Sequence, residues 1–189
     1  MHLYLVRHTK PNVEAGICYG QTDLTLASSF EQELAQVKSK IAHLPNATIY
    51  SSPLQRCKQL AQNFNHLGQV NIDTRLMELN FGDWEMQKWD DIPSGMIEEW
   101  AQDHVMQAPP NGESFYALQQ RCISFLEEVS TNTSCQDIVL FTHAGAIRAI
   151  LAHLLGLPLH HAFRLHVDYA SVSIVQRHPQ HHSLIKLNL

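Results

Sequence analysis

Five side chains with useful chemistry sit at comparable places along this chain. Arg7 and His8 follow the apolar run LYLV, and His143 follows DIVLFT. Arg56 falls in the first turn of a helical pattern after ATIYS, and Glu78 follows VNIDT. Permanent cations, titratable imidazoles and a carboxyl group, brought together, would suit an anionic ligand. Taken singly, each has a plainer explanation. A histidine at a strand end more often satisfies structural hydrogen bonds, Arg56 could be a solvated helix residue, and Glu78 could pair with Arg75. Two histidines in equivalent positions, one beside an arginine, shift that balance.

The elements that would deliver these residues alternate between strand and helix patterns, which points to an α/β domain with a mostly parallel sheet. In such sheets ligands bind at the carboxyl ends of the strands, where these five residues fall. The first strand spans about residues 2–7. Ser28 followed by Glu31 reads as a capping box opening a helix to about Ala42. Ser52-Pro53 reads as an N-cap and first-turn proline for the helix LQRCKQLAQNF. Residues 80–113 break the rhythm. They hold all three tryptophans and are read as an insertion with one helix near 94–106, equally a peripheral excursion or a substrate cover. A helix from Ser114 to about Val129 leads to DIVLFT. His143-Ala144-Gly145 then opens AIRAILAHLLG, whose first N–H groups favour an anion, and Gly156 and Pro158 end it. SVSIVQR and SLIKLN read as two final strands, and neither a repeat nor a linker divides residues 1–189.

Composition narrows the partners. The net charge of -5 leaves no basic stripe for nucleic acid or an anionic membrane, so an anion must be met by a local cationic pocket. Cys18, Cys57, Cys122 and Cys135 are widely spaced, which suits reduced thiols acting as small hydrophobes in the cytoplasm. Neither a secretory leader nor a membrane span is read. Several of the 13 histidines crowd LHHAFRLH and RHPQHH, yet their spacing fits no standard zinc pattern. Solvated loop histidines are the reading preferred over a metal-binding protein.

Several motifs occur in a familiar order. LVRHTKPN, GICYGQTDLTL, SSPLQRCKQLA, ELNFGDWE, PPNGESF and FTHAGAIR together resemble the histidine phosphatase superfamily along nearly the whole chain. That resemblance implies a three-layer α/β/α sandwich of the phosphoglycerate mutase-like type with an inserted helical cap. It implies that His8 is the nucleophile, forming a phosphohistidine, and that Arg7, Arg56 and His143 bind the phosphoryl oxygens. Glu78 would protonate the leaving alcohol and then activate water. Arg7, Asn12, Gly20, Gln21, Arg56, His143 and the backbone of Ala144 would contact the substrate, a small-molecule phosphomonoester. Neither cofactor nor metal is implied, because fixed cations neutralise the charge.

This chain departs from the family pattern at Thr9 and Lys10, at Glu14 where many relatives carry asparagine, and in HAG for HGG. Asn12 is the candidate to replace that asparagine, and Thr9, being β-branched, requires a turn without positive φ. GICYGQTDLTL and ELNFGDWE look closest to alpha-ribazole phosphatases, which remove a 5′-phosphate late in assembling the lower ligand of cobalamin. A phosphoglycerate mutase-type phosphotransferase and a non-catalytic phosphate-binding relative are the alternatives. Arg148 is read as a helix residue paired with an acid, and Trp84 as packing. The tryptophans of the insertion, Trp84 and Trp89 among them, could stack on a nucleoside-like base.

Overall fold

The computed structural model describes residues 1–132, 137–178 and 180–189. Cys135 lies outside the described residues.

The most continuously apolar segments become the middle of the sheet. In β1 (His2–Arg7), Leu3, Tyr4, Leu5 and Val6 are all buried, and every residue of β4 (Ile138–Thr142) is buried. A strand buried on both faces cannot alternate apolar with polar, which is why both read as unbroken runs. They pair in parallel from Leu3↔Ile138 to Arg7↔Thr142. Beyond β4 lie β2 (Thr48–Ser51) and β3 (Val70–Ile72), both parallel; beyond β1 lie β5 (Val172–Arg177), antiparallel to β1, and β6 (His182–Lys186), antiparallel to β5. The order is β3-β2-β4-β1-β5-β6.

Helices cover both faces, so two cores form from alternate residues of the same strands. Leu3, Leu5 and Leu140 pack against α4 (Phe115–Asn132) and α5 (Ala144–Leu154) through Leu118, Phe125, Ile147 and Ile150. Tyr4, Val6, Val139 and Phe141 pack against α1 (Phe30–Ile41) and α2 (Gln55–Gln62) through Val37, Ile41, Leu60 and Ala61. Each fully buried aliphatic side chain stabilises the fold by about 1.5–3 kcal/mol. This is the expected α/β/α sandwich. Among the described residues no helix is long and apolar enough to cross a membrane.

Two helix starts differ from the sequence reading. The first helix begins at Phe30 with Ser29 as its N-cap, not at Ser28. Ser29 Oγ donates to Glu33 Oε1 at 2.7 Å, and Glu33 Oε2 accepts the backbone N–H of Lys10, so the pairing serves the loop after β1. The second helix begins at Gln55 rather than at Ser52-Pro53. Its amide at Gln55 donates to Asp23 Oδ1 at 2.7 Å, so a remote carboxylate supplies the cap. Ser52 Oγ keeps only a long bond from the N–H of Leu54, at 3.4 Å, and has room for a second partner.

The insertion forms two short 3-10 turns, Gly82–Trp84 and Trp89–Asp91, and α3 (Ser94–Gln102), shorter than the helix expected over 94–106. Cys18, Trp84 and Ile92 form its small buried core, with Phe81, Trp89, Ile97 and Trp100 around them.

Candidate active site

Strand register builds the centre of the site. Arg7 is paired with Thr142, so the next residue on each strand, His8 and His143, emerges at the same edge. The backbone N–H of His8 donates to Thr142 O at 3.0 Å, and the two ring centroids lie 5.0 Å apart. Both imidazoles are buried. His8 Nδ1 is 2.7 Å from the carbonyl oxygen of Thr9. A carbonyl only accepts, so Nδ1 carries the proton and Nε2 keeps its lone pair. Burial holds the pKa of His8 well below the ordinary histidine value, reinforced by Arg56 and Arg7. Burial does the same for His143, helped by Arg56 and by His8 itself. Both rings are therefore neutral at pH 7. Ser52 Oγ lies 2.8 Å from His143 Nε2, which fixes that ring.

Two guanidinium groups flank the rings. Arg7 stacks on Tyr169, 3.7 Å from the ring centroid, and its Nη1 donates to Val167 O at 2.7 Å. Arg56 is fully buried, with Nη1 donating to Thr22 O at 2.8 Å and Nη2 to Gly20 O at 2.5 Å. The Nε–H of each is buried and finds no acceptor among the described residues. A buried donor left unpaired costs about 1–3 kcal/mol, so two unspent donors beside neutral imidazoles suit an anionic ligand. Tyr19 and Tyr169 meet hydroxyl to hydroxyl at 2.5 Å beside Arg7. Burial, followed by the bond to Tyr169, pushes the Tyr19 pKa up.

Glu78 is held from both ends. Its Oε2 accepts the N–H of Gly145 at 3.0 Å, in the first turn of α5, and its Oε1 accepts the N–H of Leu79 at 2.9 Å. Its carbonyl accepts from Gln21 Nε2 at 3.0 Å and from Arg121 Nη2 at 2.9 Å. Arg121 Nη1 also donates to the carbonyls of Arg75 and Met77, both at 2.7 Å. Glu113 anchors Arg121 with a 2.6 Å ion pair and accepts the N–H of Asn80 at 3.0 Å. The acid thus hangs on a backbone that a partly buried ion pair holds in place.

A cavity of about 320 Å³ opens here. Arg7, His8, Glu78, Ala144 and Arg148 line it together with Ile17, Tyr19, Phe81 and Trp89. Of the residues expected at the site, Arg7, His8, Glu78 and Ala144 line the cavity, while Arg56 and His143 stand fully buried. Gly20 and Gln21 act one step away, through Arg56 and Glu78 respectively. Asn12 is exposed, and its backbone N–H bonds to Thr25 O on the side of the 10–17 loop. Among the described residues the non-glycine positions with positive φ are Met86, Asn111, Ala170 and Asn188, so Thr9 makes its turn without that conformation.

Arg148 corrects the sequence reading. Its Nε donates to Leu165 O at 2.9 Å rather than pairing with an acid, its guanidinium lies 5.4 Å from the Phe163 centroid, and it lines the cavity. The available signal was its spacing: four residues beyond Ala144, it shares that residue's helix face. Glu113 and Arg121 were missed as supports, as were Tyr19 and Tyr169. Of these, Tyr19 and Glu113 sit in quoted motifs, GICYGQTDLTL and PPNGESF. Trp84 is buried in the insertion's core, as expected for packing, and Trp89 is the tryptophan that faces the cavity. Cys18, Cys57 and Cys122 are buried, and burial raises their thiol pKa values, to about 12 for Cys18 and Cys122. Among the described residues no three His, Cys, Asp or Glu side chains converge to hold a metal ion.

Comparison with known proteins agrees with this geometry. The model of the histidine phosphatase superfamily (branch 1) matches residues 3–189. The adenosylcobalamin/alpha-ribazole phosphatase of Salmonella typhimurium is 28% identical over 182 residues, covering 93% of this chain and 90% of that protein. Phosphoserine phosphatase 1 of Hydrogenobacter thermophilus is 25% identical, covering 99% of this chain and 92% of its own. The crystal structure of the alpha-ribazole phosphatase from Shigella flexneri superposes with a TM-score of 0.91 at 25% identity, covering 100% of this chain and 96% of that one.

Proposed function

The chain belongs to the histidine phosphatase superfamily (branch 1), and from that membership we propose that it hydrolyses phosphomonoesters through a phosphohistidine on His8. The observation that carries this reading is the state of the His8 ring: buried, neutral and hydrogen-bonded through Nδ1, so that Nε2 alone is available to attack.

In the first step Nε2 forms a bond to phosphorus as the ester P–O bond breaks, and Glu78 gives a proton to the departing oxygen. In the second step Glu78 takes a proton from water, whose oxygen attacks phosphorus while the P–N bond breaks and free phosphate leaves. Arg7 and Arg56 stay charged throughout and offset the negative charge that gathers on the phosphoryl oxygens. His143, neutral and fixed by Ser52, offers a further polar contact to the phosphoryl group. No step calls on a metal, because permanent cations do the neutralising.

For the substrate, the reading best supported is alpha-ribazole 5′-phosphate or a similar small ester. The activities for which the Salmonella and Shigella relatives are named support it, as do the aromatic rings of Phe81 and Trp89 in the same cavity as His8. The test is turnover of alpha-ribazole 5′-phosphate, phosphoserine and 3-phosphoglycerate with chelator present, beside His8→Ala. The expected result is fastest release of phosphate from the ribazole ester, its loss in the variant, and phosphorus on the protein after rapid quenching. Substantial activity in His8→Ala would refute the nucleophile.

A further inference from the structure

Beside the catalytic cavity lies a second one with different walls. Its volume is about 370 Å³, and Phe81, Trp89, Trp100, Ala101, His104 and Phe163 line it. Phe81 and Trp89 belong to both cavities, so the two are neighbours across a shared aromatic wall. The rings are mutually braced. Phe81 meets Trp89 edge to face at 5.5 Å, Trp100 meets His104 at 6.1 Å, and His104 meets Phe163 at 5.1 Å. Arg148 joins the two chambers, lining the first and lying over Phe163 of the second.

We propose that this second cavity is the subsite for the leaving alcohol, and that it selects alcohols carrying a flat, uncharged aromatic group. The proposal rests on the phosphomonoesterase reading and adds to it which esters are preferred. The walls contain neither Asp nor Glu, and the nearby Arg148 is itself a cation, so an ammonium on the alcohol would lose its hydration without gaining an ionic partner. A flat ring instead finds the offset and edge-on contacts that aromatic faces favour. The volume lies in the range of pockets that hold small organic groups. The competing place for the alcohol is a groove of about 380 Å³ that shares Ile17, Tyr19 and Trp89 with the catalytic cavity, carries Lys10 and Glu14, and would suit a charged alcohol.

The test uses two primary alkyl esters, 2-naphthylmethyl phosphate and ethyl phosphate, so that ring size changes while leaving-group chemistry barely does. Phosphoserine supplies the charged comparison. Ala101→Trp, on the exposed face of α3, fills the aromatic cavity without touching the catalytic one. The naphthylmethyl ester is expected to exceed both others at least tenfold in kcat/KM. Ala101→Trp should remove most of that advantage through KM and leave ethyl phosphate within twofold. Calorimetric titration of the same esters into His8→Ala protein reads the subsite without turnover, and should show the same order of affinity. If Ala101→Trp leaves the ratio unchanged in both assays, the proposal is wrong. A preference for phosphoserine that collapses in Lys10→Ala would overturn it too, by moving the alcohol to the other groove. Failure of the hydrolase reading looks different: no ester is turned over by wild-type protein, while the titration still decides the subsite.

Discussion

The backbone N–H of Gly145 donates to Glu78 Oε2 at 3.0 Å, and a methyl group built on Gly145 would stand 2.2 Å from Oε1 of the same carboxylate. The helix end and the acid are therefore in contact, with no room for a side chain between them. Gly145→Ala should push Glu78 out of position without unfolding α5, since alanine is the better helix former. Turnover of alkyl phosphates should fall by about ten- to a hundredfold, the range expected when a general acid is displaced. Nitrophenyl phosphate, whose leaving group needs little help, should suffer much less. Equal losses on both esters would show that Glu78 does not serve the leaving group.

Arg121 carries the backbone of the acid. Arg121→Met would strip donors from the carbonyls of Arg75, Met77 and Glu78 and leave Glu113 unpaired. Breaking such a pair from one side costs about 3 kcal/mol. Urea denaturation should register that loss, and kcat should fall with KM little changed. Glu113→Gln keeps acceptors for Asn80 and Arg121, so about 1 kcal/mol is expected there.

The neutral histidine pair makes stability depend on acid. Burial keeps His8 and His143 from taking protons in the folded state, whereas the unfolded chain takes them up near pH 6.5. Below about pH 6.5 the unfolded state binds more protons, so stability is full above that value and lost as pH falls under it. Each ring contributes at most about 1.4 kcal/mol per pH unit. The pKa values of His161 and His182 are lowered too, so His143→Gln should reduce, without abolishing, the slope between pH 6.5 and 5.5 in denaturation experiments. An unchanged slope would mean that His143 titrates alike in both states.

The insertion should open on its own. Its hydrophobic core is the small cluster of Cys18, Trp84 and Ile92, linked to the sandwich through Phe81, and α3 buries none of its side chains completely. All three tryptophans lie in it, so their emission reports this segment alone. Tryptophan emission should shift at lower urea than the far-ultraviolet helix signal, and amides of α3 should exchange faster than those of β1 and β4. A single coincident transition would contradict this.

How much of this was readable beforehand depended on distance along the chain. The unbroken apolar runs LYLV and IVLF marked central strands, and the polar residues ending each run marked the site, because both signals are local. Ser52 looked like a helix cap since its neighbour is proline. In the fold Asp23, 32 residues before Gln55, caps that helix, and the Ser52 hydroxyl, which takes a long bond from Leu54 N–H, also reaches His143. Arg121 reads as an ordinary polar position on an amphipathic helix. Its real partners are three carbonyls on a loop more than 40 residues earlier, which no helical or strand period records. The two Nε–H groups of Arg7 and Arg56 were likewise invisible, because whether a donor is satisfied depends on tertiary geometry.

His8 and His143 stand together because two neighbouring strands in the middle of the sheet share one register. That arrangement borrows nothing from residues 80–113. An exchanged insertion should therefore change which esters enter while inheriting the histidine pair, provided that Glu113 stays to anchor Arg121 under the backbone of Glu78. Transplanting this segment between relatives is a practical route to new selectivity, whereas a one-residue slip between β1 and β4 would dismantle every such variant at once.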